Sequence, residues 1–126
     1  SVPGSSSYFI GGIVAYANEI KIKELGVQQS TLEQYGAVSE QTVIEMAQCV
    51  RKKFGTDIGL STSGIAGPDG GTPEKPVGNV WIAYADKDKT VTRKLQLSKD
   101  RLLNIRMTSN LILNLLRINF PQKEKA

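Results

Sequence analysis

The chain has 126 residues, 40% apolar and 22% charged, with a formal net charge of +4. This is the make-up of one ordinary globular domain with a real core, and its diffuse positive charge favours an anionic ligand without forming a nucleic-acid stripe. With no histidine and one cysteine, the chain holds no Ser-His-Asp or Cys-His set and no internal disulfide, and it offers poor zinc chemistry.

Residues 1–7 read as a turn, with Pro3-Gly4 before three serines. The chain opens without Met, so a processed or trimmed beginning is expected. Tyr8 to Ala17 is apolar around Gly11-Gly12, and Ile13, Val14 and Tyr16 predict a buried strand. Asn18 is a suitable N-cap, with Glu19 in the first turn of a short helix over Ile20 to Leu25 that Gly26 closes. Ser30 to Tyr35 predicts another short helix, broken by Gly36. Ser39 caps the next one. Its Val43, Met46, Ala47, Val50 and Phe54 recur at helical spacing up to Gly55.

Ile58 to Thr62 predicts a strand, and Gly78 to Ala85 another. Asp86 to Lys89 is a polar turn, and Thr90 to Leu97 returns as the partner of a hairpin, with Val91, Leu95 and Leu97 on its apolar face. Ser98 caps the last helix, with Asp100 in its first turn. Leu102, Ile105, Ser109, Ile112 and Leu116 form its apolar stripe, Leu103, Met107, Leu111, Leu115 and Ile118 widen it, and Pro121 stops it. Gln122 to Ala126 reads as a frayed charged tail. The order of elements predicts an α/β domain with a mixed sheet and helices packed on it. No second domain, repeat, signal peptide or spanning segment is visible, so a cytoplasmic protein away from membranes is expected.

The loop from Ser61 to Gly78 holds five of the twelve glycines, and three of the five prolines. It is neither a Walker A loop nor a dinucleotide fingerprint: no Gly-Lys-Ser/Thr follows, and a strand rather than a helix comes next. Consecutive N–H groups in such a turn still make an anion nest, to which Thr62 and Ser63 add hydroxyls. A ligand loop is the expectation, and a long surface connection the alternative.

Tyr16, Asn18 and Lys21 follow the first predicted strand, where α/β sheets bind ligands. A desolvated Lys21 could act as base with Tyr16 as relay. From the residues alone, a core Tyr and a solvated helix Lys are the plainer reading. Arg101, at the start of the last helix, suits an anion or a surface pair with Asp100. Cys49 reads as an inert packing residue. Trp81 and Tyr84 read as core before cleft wall.

Three runs carry a family resemblance. They are Pro3-Gly4-Ser5-Ser6 with Tyr8-Phe9 and Val14 to Lys21, then Tyr35-Gly36-Ala37-Val38-Ser39-Glu40, then Ser63 to Gly78. In order and over essentially the whole chain, they resemble the CinA C-terminal domain family. The resemblance implies a three-layer α/β/α fold and a cytoplasmic bacterial protein. It implies nicotinamide mononucleotide deamidation, giving nicotinate mononucleotide and ammonia in pyridine-nucleotide (NAD) recycling, with no metal and no cofactor. By motif, Tyr16 and Lys21 match the family's supporting Tyr and Lys. Ser63 matches the Ser/Thr before Gly-Ile-Ala-Gly, and Arg101 the Arg early in the last helix. The implied substrate-binding set is Asn18, Ser63, Gly64, Gly67, Gly70, Gly71 and Arg101.

The family's nucleophilic serine lies in a Glu-Ser-Cys-Thr-Gly-Gly-like motif upstream of the Pro-Gly-Ser-Ser run, and this chain begins at that run. The expectation is therefore a single domain over residues 1–126, without the family's N-terminal strand and helix and inactive by itself. Its partner would be a small nucleotide, with no nucleic acid and no membrane, and it would form a homo-oligomer through an exposed sheet edge. The alternative is a non-catalytic nucleotide-binding or regulatory domain of a larger competence/damage-inducible protein.

Overall fold

A computed structural model describes residues 2–121. Three strands, β1 (Gly59–Gly64), β2 (Asn79–Ala85) and β3 (Thr90–Gln96), form one sheet in that order. Before them come a 3-10 turn at Ser5–Ser7 and α1 (Asn18–Ile20), which runs on as a π-helical turn over Lys21–Leu25. Two more helices, α2 (Gln29–Tyr35) and α3 (Glu40–Phe54), precede β1, and α4 (Arg101–Asn119) follows β3.

The central strand explains the layering. Successive side chains of a strand point to opposite faces. Val80, Ile82 and Tyr84 pack with Ile112 and Leu115 of α4. Trp81, Ala83 and Ala85 pack with Val43 and Ala47 of α3. The sheet is thus covered on both faces, which is the α/β/α arrangement, and each fully buried large apolar side chain contributes about 1.5–3 kcal/mol. A third cluster, with Leu25, Val27, Leu32 and Met46, seats the first helical turns against α3.

Small residues let α3 lie close to β1. A Cβ on Gly59 would run into the carbonyl oxygen of Ala47, and Ser61 Oγ donates to Val43 O at 2.6 Å. Ser39 caps α3 by accepting from Thr42 N at 3.2 Å. Gly55 ends it in the left-handed region at φ 64°, where glycine carries no Cβ penalty.

The hairpin end has its own lock. The hydroxyl of buried Tyr84 lies 2.7 Å from Asp86 Oδ2, while Asp86 Oδ1 accepts from the N–H groups of Asp88 and Lys89. The Tyr84 bond foremost, opposed by burial and helped by the two backbone N–H groups and the Lys89 charge, holds the Asp86 carboxyl below its ordinary value. A depressed acid stabilises the fold above its unfolded pKa and loses that contribution as pH falls through the folded one. Tyr84→Phe is expected to cost about 1 kcal/mol at neutral pH. Denaturant midpoints should show this deficit shrinking as Asp86 is protonated.

Several expectations are corrected. Residues 8–17 form no strand. Ile13 and Ala15 do pack inward and Val14 and Tyr16 outward, so the period-two pattern is present. No backbone N–H or C=O from 10 to 16 has a backbone partner among the described residues, and a strand needs a neighbour to complete its ladder. Asn18 is the first helical residue rather than the cap; Ala17 is the N-cap, and its side chain makes no capping bond. Asp100, not Ser98, caps α4, accepting from Leu103 N at 3.0 Å.

The described sheet is antiparallel throughout, where a mixed sheet was expected. The loop after β1 turns the chain straight back, and no crossover helix intervenes to make a parallel pair. The buried face of α4 is centred on Asn104, Ile112 and Leu115, and Leu102 of the expected stripe is 77% exposed. Asn104 draws that face inward through hydrogen bonds described below. The expected charged tail, 122–126, lies outside the described residues.

Candidate functional site

The glycine loop, residues 65–78, is held at both ends and from both sides. Gly78 N donates to Ile65 O at 2.7 Å, and Ile65 N to Asn79 O at 3.0 Å, closing its neck. Arg101 Nη1 donates to Gly67 O at 3.1 Å and Asn104 Nδ2 to Ala66 O at 3.0 Å, which joins the loop to the start of α4. On the other side Lys75 Nζ donates to Tyr35 O at 2.7 Å, at the end of α2. Gly67 and Gly70 take φ of 88° and 95°, values that L side chains avoid. Gly71 is needed for room, because a Cβ there would lie 2.7 Å from Val77 N.

With the carbonyls turned to these donors, the loop's amides are left over. The N–H groups of Ala66, Gly67, Asp69, Gly70 and Gly71 make no backbone hydrogen bond among the described residues. A run of free N–H groups next to a guanidinium is suited to phosphate or carboxylate oxygens.

Ser63 does not point at this nest. Its Oγ donates to Ala37 O at 2.7 Å, so it clasps the corner between α2 and α3 to the end of β1. Ala37 packs in the same apolar cluster as Ala15 and Ile22.

Lys21 departs from the plainer reading of a solvated helix lysine. It is 5% exposed. Its Nζ donates to Ala15 O at 2.7 Å and to Tyr16 O at 3.3 Å. Desolvation pushes the ammonium below its ordinary pKa. Tyr16 meets it only through the carbonyl; its own ring is 86% exposed, where a core position was the plainer reading. Asn18 is exposed. No side-chain hydroxyl among the described residues hydrogen-bonds to Lys21 Nζ.

Two cavities open beside the loop. One, of about 220 Å³, lies between the end of β1 and α4, with Thr62, Gly64, Asn104, Thr108 and Ser109 on its walls. The other, of about 380 Å³, lies between the loop and the α2–α3 corner. Lys21 lines neither. The structure thus brings Gly64, Gly67 and Arg101 together around the loop and sets Asn18 and Lys21 apart on the first helical turns, with Tyr16 just before them.

Cys49 is half-buried; burial foremost, with Glu45 beside it, pushes its thiol up, away from thiolate character. No group of three His, Cys, Asp or Glu among the described residues could hold a metal ion. No described helix is long and apolar enough to cross a membrane.

Asn104 escaped the sequence reading, although it uses its whole amide. Oδ1 accepts from Ser98 N and Ser98 Oγ, while Nδ2 donates to Ala66 O and Ser98 O. The one available signal was a polar residue inside an apolar helical stretch, which periodicity treats as noise.

Comparison with known proteins fits this geometry. The family model for the CinA C-terminal domain matches residues 1–120. A CinA-like protein of Cytophaga hutchinsonii is 63% identical over 117 residues, which is 93% of this chain and 28% of that protein. A putative competence-damage inducible protein of Thermoanaerobacter pseudethanolicus is 56% identical over 100 residues, 79% of this chain and 24% of that one. The chain therefore spans about a quarter of the length of these relatives.

Among solved structures, the competence/damage inducible protein CihA of Agrobacterium tumefaciens superposes with a TM-score of 0.83 at 33% identity, covering 85% of this chain and 66% of that one. The competence damage-inducible protein A of Klebsiella pneumoniae also gives 0.83, at 31% identity, covering 90% and 70%. With its loop, its layered sheet and the family model matched from residue 1 to residue 120, the chain belongs to the CinA C-terminal domain family.

Proposed function

We propose that this chain is part of an amidohydrolase that converts nicotinamide mononucleotide and water into nicotinate mononucleotide and ammonia. The observation that carries the reading is the state of Lys21. Its amine is buried, its pKa is lowered, and two backbone carbonyls engage its N–H groups. A neutral amine has two N–H bonds and one lone pair. With both bonds committed to Ala15 O and Tyr16 O, the lone pair is free to take a proton from a hydroxyl nucleophile.

No side-chain hydroxyl among the described residues bonds to Lys21, and this reading takes the nucleophile to be the serine of the family's Glu-Ser-Cys-Thr-Gly-Gly-like motif. The unpaired N–H groups of Ala66, Gly67, Asp69, Gly70 and Gly71, with Arg101, take the nucleotide's anionic group. Tyr16 acts only after it turns inward, because its ring stands in solvent here. Asn18 contributes from the same turn. Ser63 shapes the site by holding the α2–α3 corner, so Ser63→Ala is expected to act on substrate binding more than on turnover.

Ammonia release from nicotinamide mononucleotide, measured for this chain and for the complete parent protein, tests the reading. Activity in the parent alone is the expected result. Release by this chain alone would move the nucleophile to a residue present here. No release by either would favour a nucleotide-binding role within a larger competence/damage-inducible protein, a role compatible with relatives about four times as long.

A further inference from the structure

We infer that Asn104 is the positioning residue of the glycine loop's anion nest: by holding Ala66 O, it fixes the direction in which Gly67 offers its N–H to the ligand's anionic group. The inference rests on the reading that the nest takes that group, and it adds a residue that acts without touching the ligand. The starting point is burial. Asn104 is 1% exposed, and a buried amide is tolerated only when its hydrogen bonds are made. Three of its four bonds go to one residue: Ser98 N and Ser98 Oγ donate to Oδ1 at 2.9 and 2.8 Å, and Nδ2 donates to Ser98 O at 2.9 Å. These lock the amide plane to the chain entering α4. The other Nδ2 proton is thereby aimed at Ala66 O, which it meets at 3.0 Å.

The consequence lies across the peptide bond. The Ala66–Gly67 peptide is trans, so its C=O and N–H point in opposite directions. With the carbonyl held on α4, the Gly67 N–H points away from Asn104, and it makes no backbone hydrogen bond among the described residues. Gly67 takes φ 88°, and beside a glycine a peptide plane turns at little steric cost. A turned plane would present a carbonyl oxygen to the anion in place of a donor. The tie from Asn104 is what opposes that turn.

Arg101 holds the next carbonyl, Gly67 O, through Nη1. Arg101 is exposed, however, and an exposed guanidinium exchanges a carbonyl for an anion readily. Asn104 is the buried half of the clamp and has no spare donor to exchange. Hydrogen bonds in a chain polarise one another. An anion on the Gly67 N–H therefore makes Ala66 O a stronger acceptor, so the ligand and Asn104 pull on the two ends of one peptide unit.

Inorganic phosphate is the first probe, titrated into the chain at constant ionic strength and followed by amide resonances. The Gly67 N–H should shift saturably, and the Asn104 Nδ2 protons should shift with the same midpoint. Asn104→Ala, which adds no charge, should weaken phosphate at least about fivefold. Ser98→Ala is the control: it removes the hydroxyl bond to Oδ1 but leaves Nδ2 on Ala66 O, so it should lower the melting temperature and keep the phosphate affinity. In the complete protein Asn104→Ala should raise KM for nicotinamide mononucleotide at least about fivefold and leave kcat unchanged, as expected when substrate and transition state lose the same binding. If Asn104→Ala does not fold, the shared midpoint in the unmodified chain decides. The phosphate titration needs no turnover, so it is independent of whether the protein deamidates. No saturable Gly67 shift would overturn the nest and this inference with it. A Gly67 shift that leaves the Asn104 Nδ2 protons unmoved, an affinity indifferent to Asn104→Ala, or a fall in kcat at unchanged KM would overturn the role of Asn104 alone.

Discussion

Lys21→Met in the complete protein is expected to lower deamidation by about 10²–10⁴-fold, the ordinary worth of a positioned general base. Methionine keeps an unbranched apolar stem of about the same length without the amine, so Ala15 O and Tyr16 O each lose a donor. That loss costs about 1–3 kcal/mol of stability and leaves a folded protein on which the rate can be measured. The pH profile separates catalysis from scaffolding. Burial holds the folded pKa of Lys21 below its ordinary 10.5, and the amidohydrolase reading makes the neutral amine the active form. The rate should therefore rise with pH through an inflection below 10.5, and Lys21→Met should lack that limb.

Stability gives the complementary sign. Between the folded pKa and 10.5 the unfolded chain binds more protons, so stability rises with pH across that window and is flat below it. Lys21→Met should lose that rise. Wild-type-like turnover by Lys21→Met, with its pH limb intact, would remove Lys21 from the chemistry.

The largest effect on the fold is expected at Gly59. Gly59→Ala puts a methyl group against the backbone carbonyl of Ala47 and within 2.9 Å of Arg51 Cβ. Neither is the end of a flexible side chain, so α3 must move away from β1. Overpacking of this kind costs about 1–3 kcal/mol and sometimes more. Moving α3 also strains the Ser61 bond to Val43 O and the packing of Val43 and Ala47 on the sheet. A melting-temperature drop of roughly 10 °C is expected by calorimetry. A change under about 2 °C would show that α3 is not seated through this contact.

Much of this was readable from the residues because local chemistry and global packing agree. Ser39, Gly55 and Gly26 end or begin their helices where cap chemistry says they should, and the one-sided pattern of β3 beside the continuously apolar β2 gives the hairpin and its apolar face. The failures are instructive in kind. Residues 8–17 carry the pattern of a strand, but pattern speaks for side chains while a strand is defined by its backbone partner, and no sequence window contains the partner. The face of α4 was misjudged because Asn104 buries a polar amide, and an amide's partners, here Ser98 and Ala66, are visible only in three dimensions.

The composition of the glycine loop and the place of Arg101 at the start of α4 were visible in the residues, but the bond from Arg101 to Gly67 O that joins them was not. The burial of Lys21 was not visible either, because it comes from Ala15 and Tyr16 carbonyls folding back across a π-helical turn. Ser63 was found for its hydroxyl and then proved to be spent on Ala37 O.

The unladdered stretch from residue 10 to 16 has a kinetic consequence. Its amides lack backbone acceptors among the described residues, so they should exchange with deuterated solvent within seconds to minutes, long before those of β2. Yet its carbonyls at Ala15 and Tyr16 form the cage of the Lys21 amine. An opening of this arm would rehydrate that amine and return its pKa toward the ordinary value. A contact that pins the arm is therefore expected to keep the Lys21 pKa low, and one that frees it to let that pKa rise.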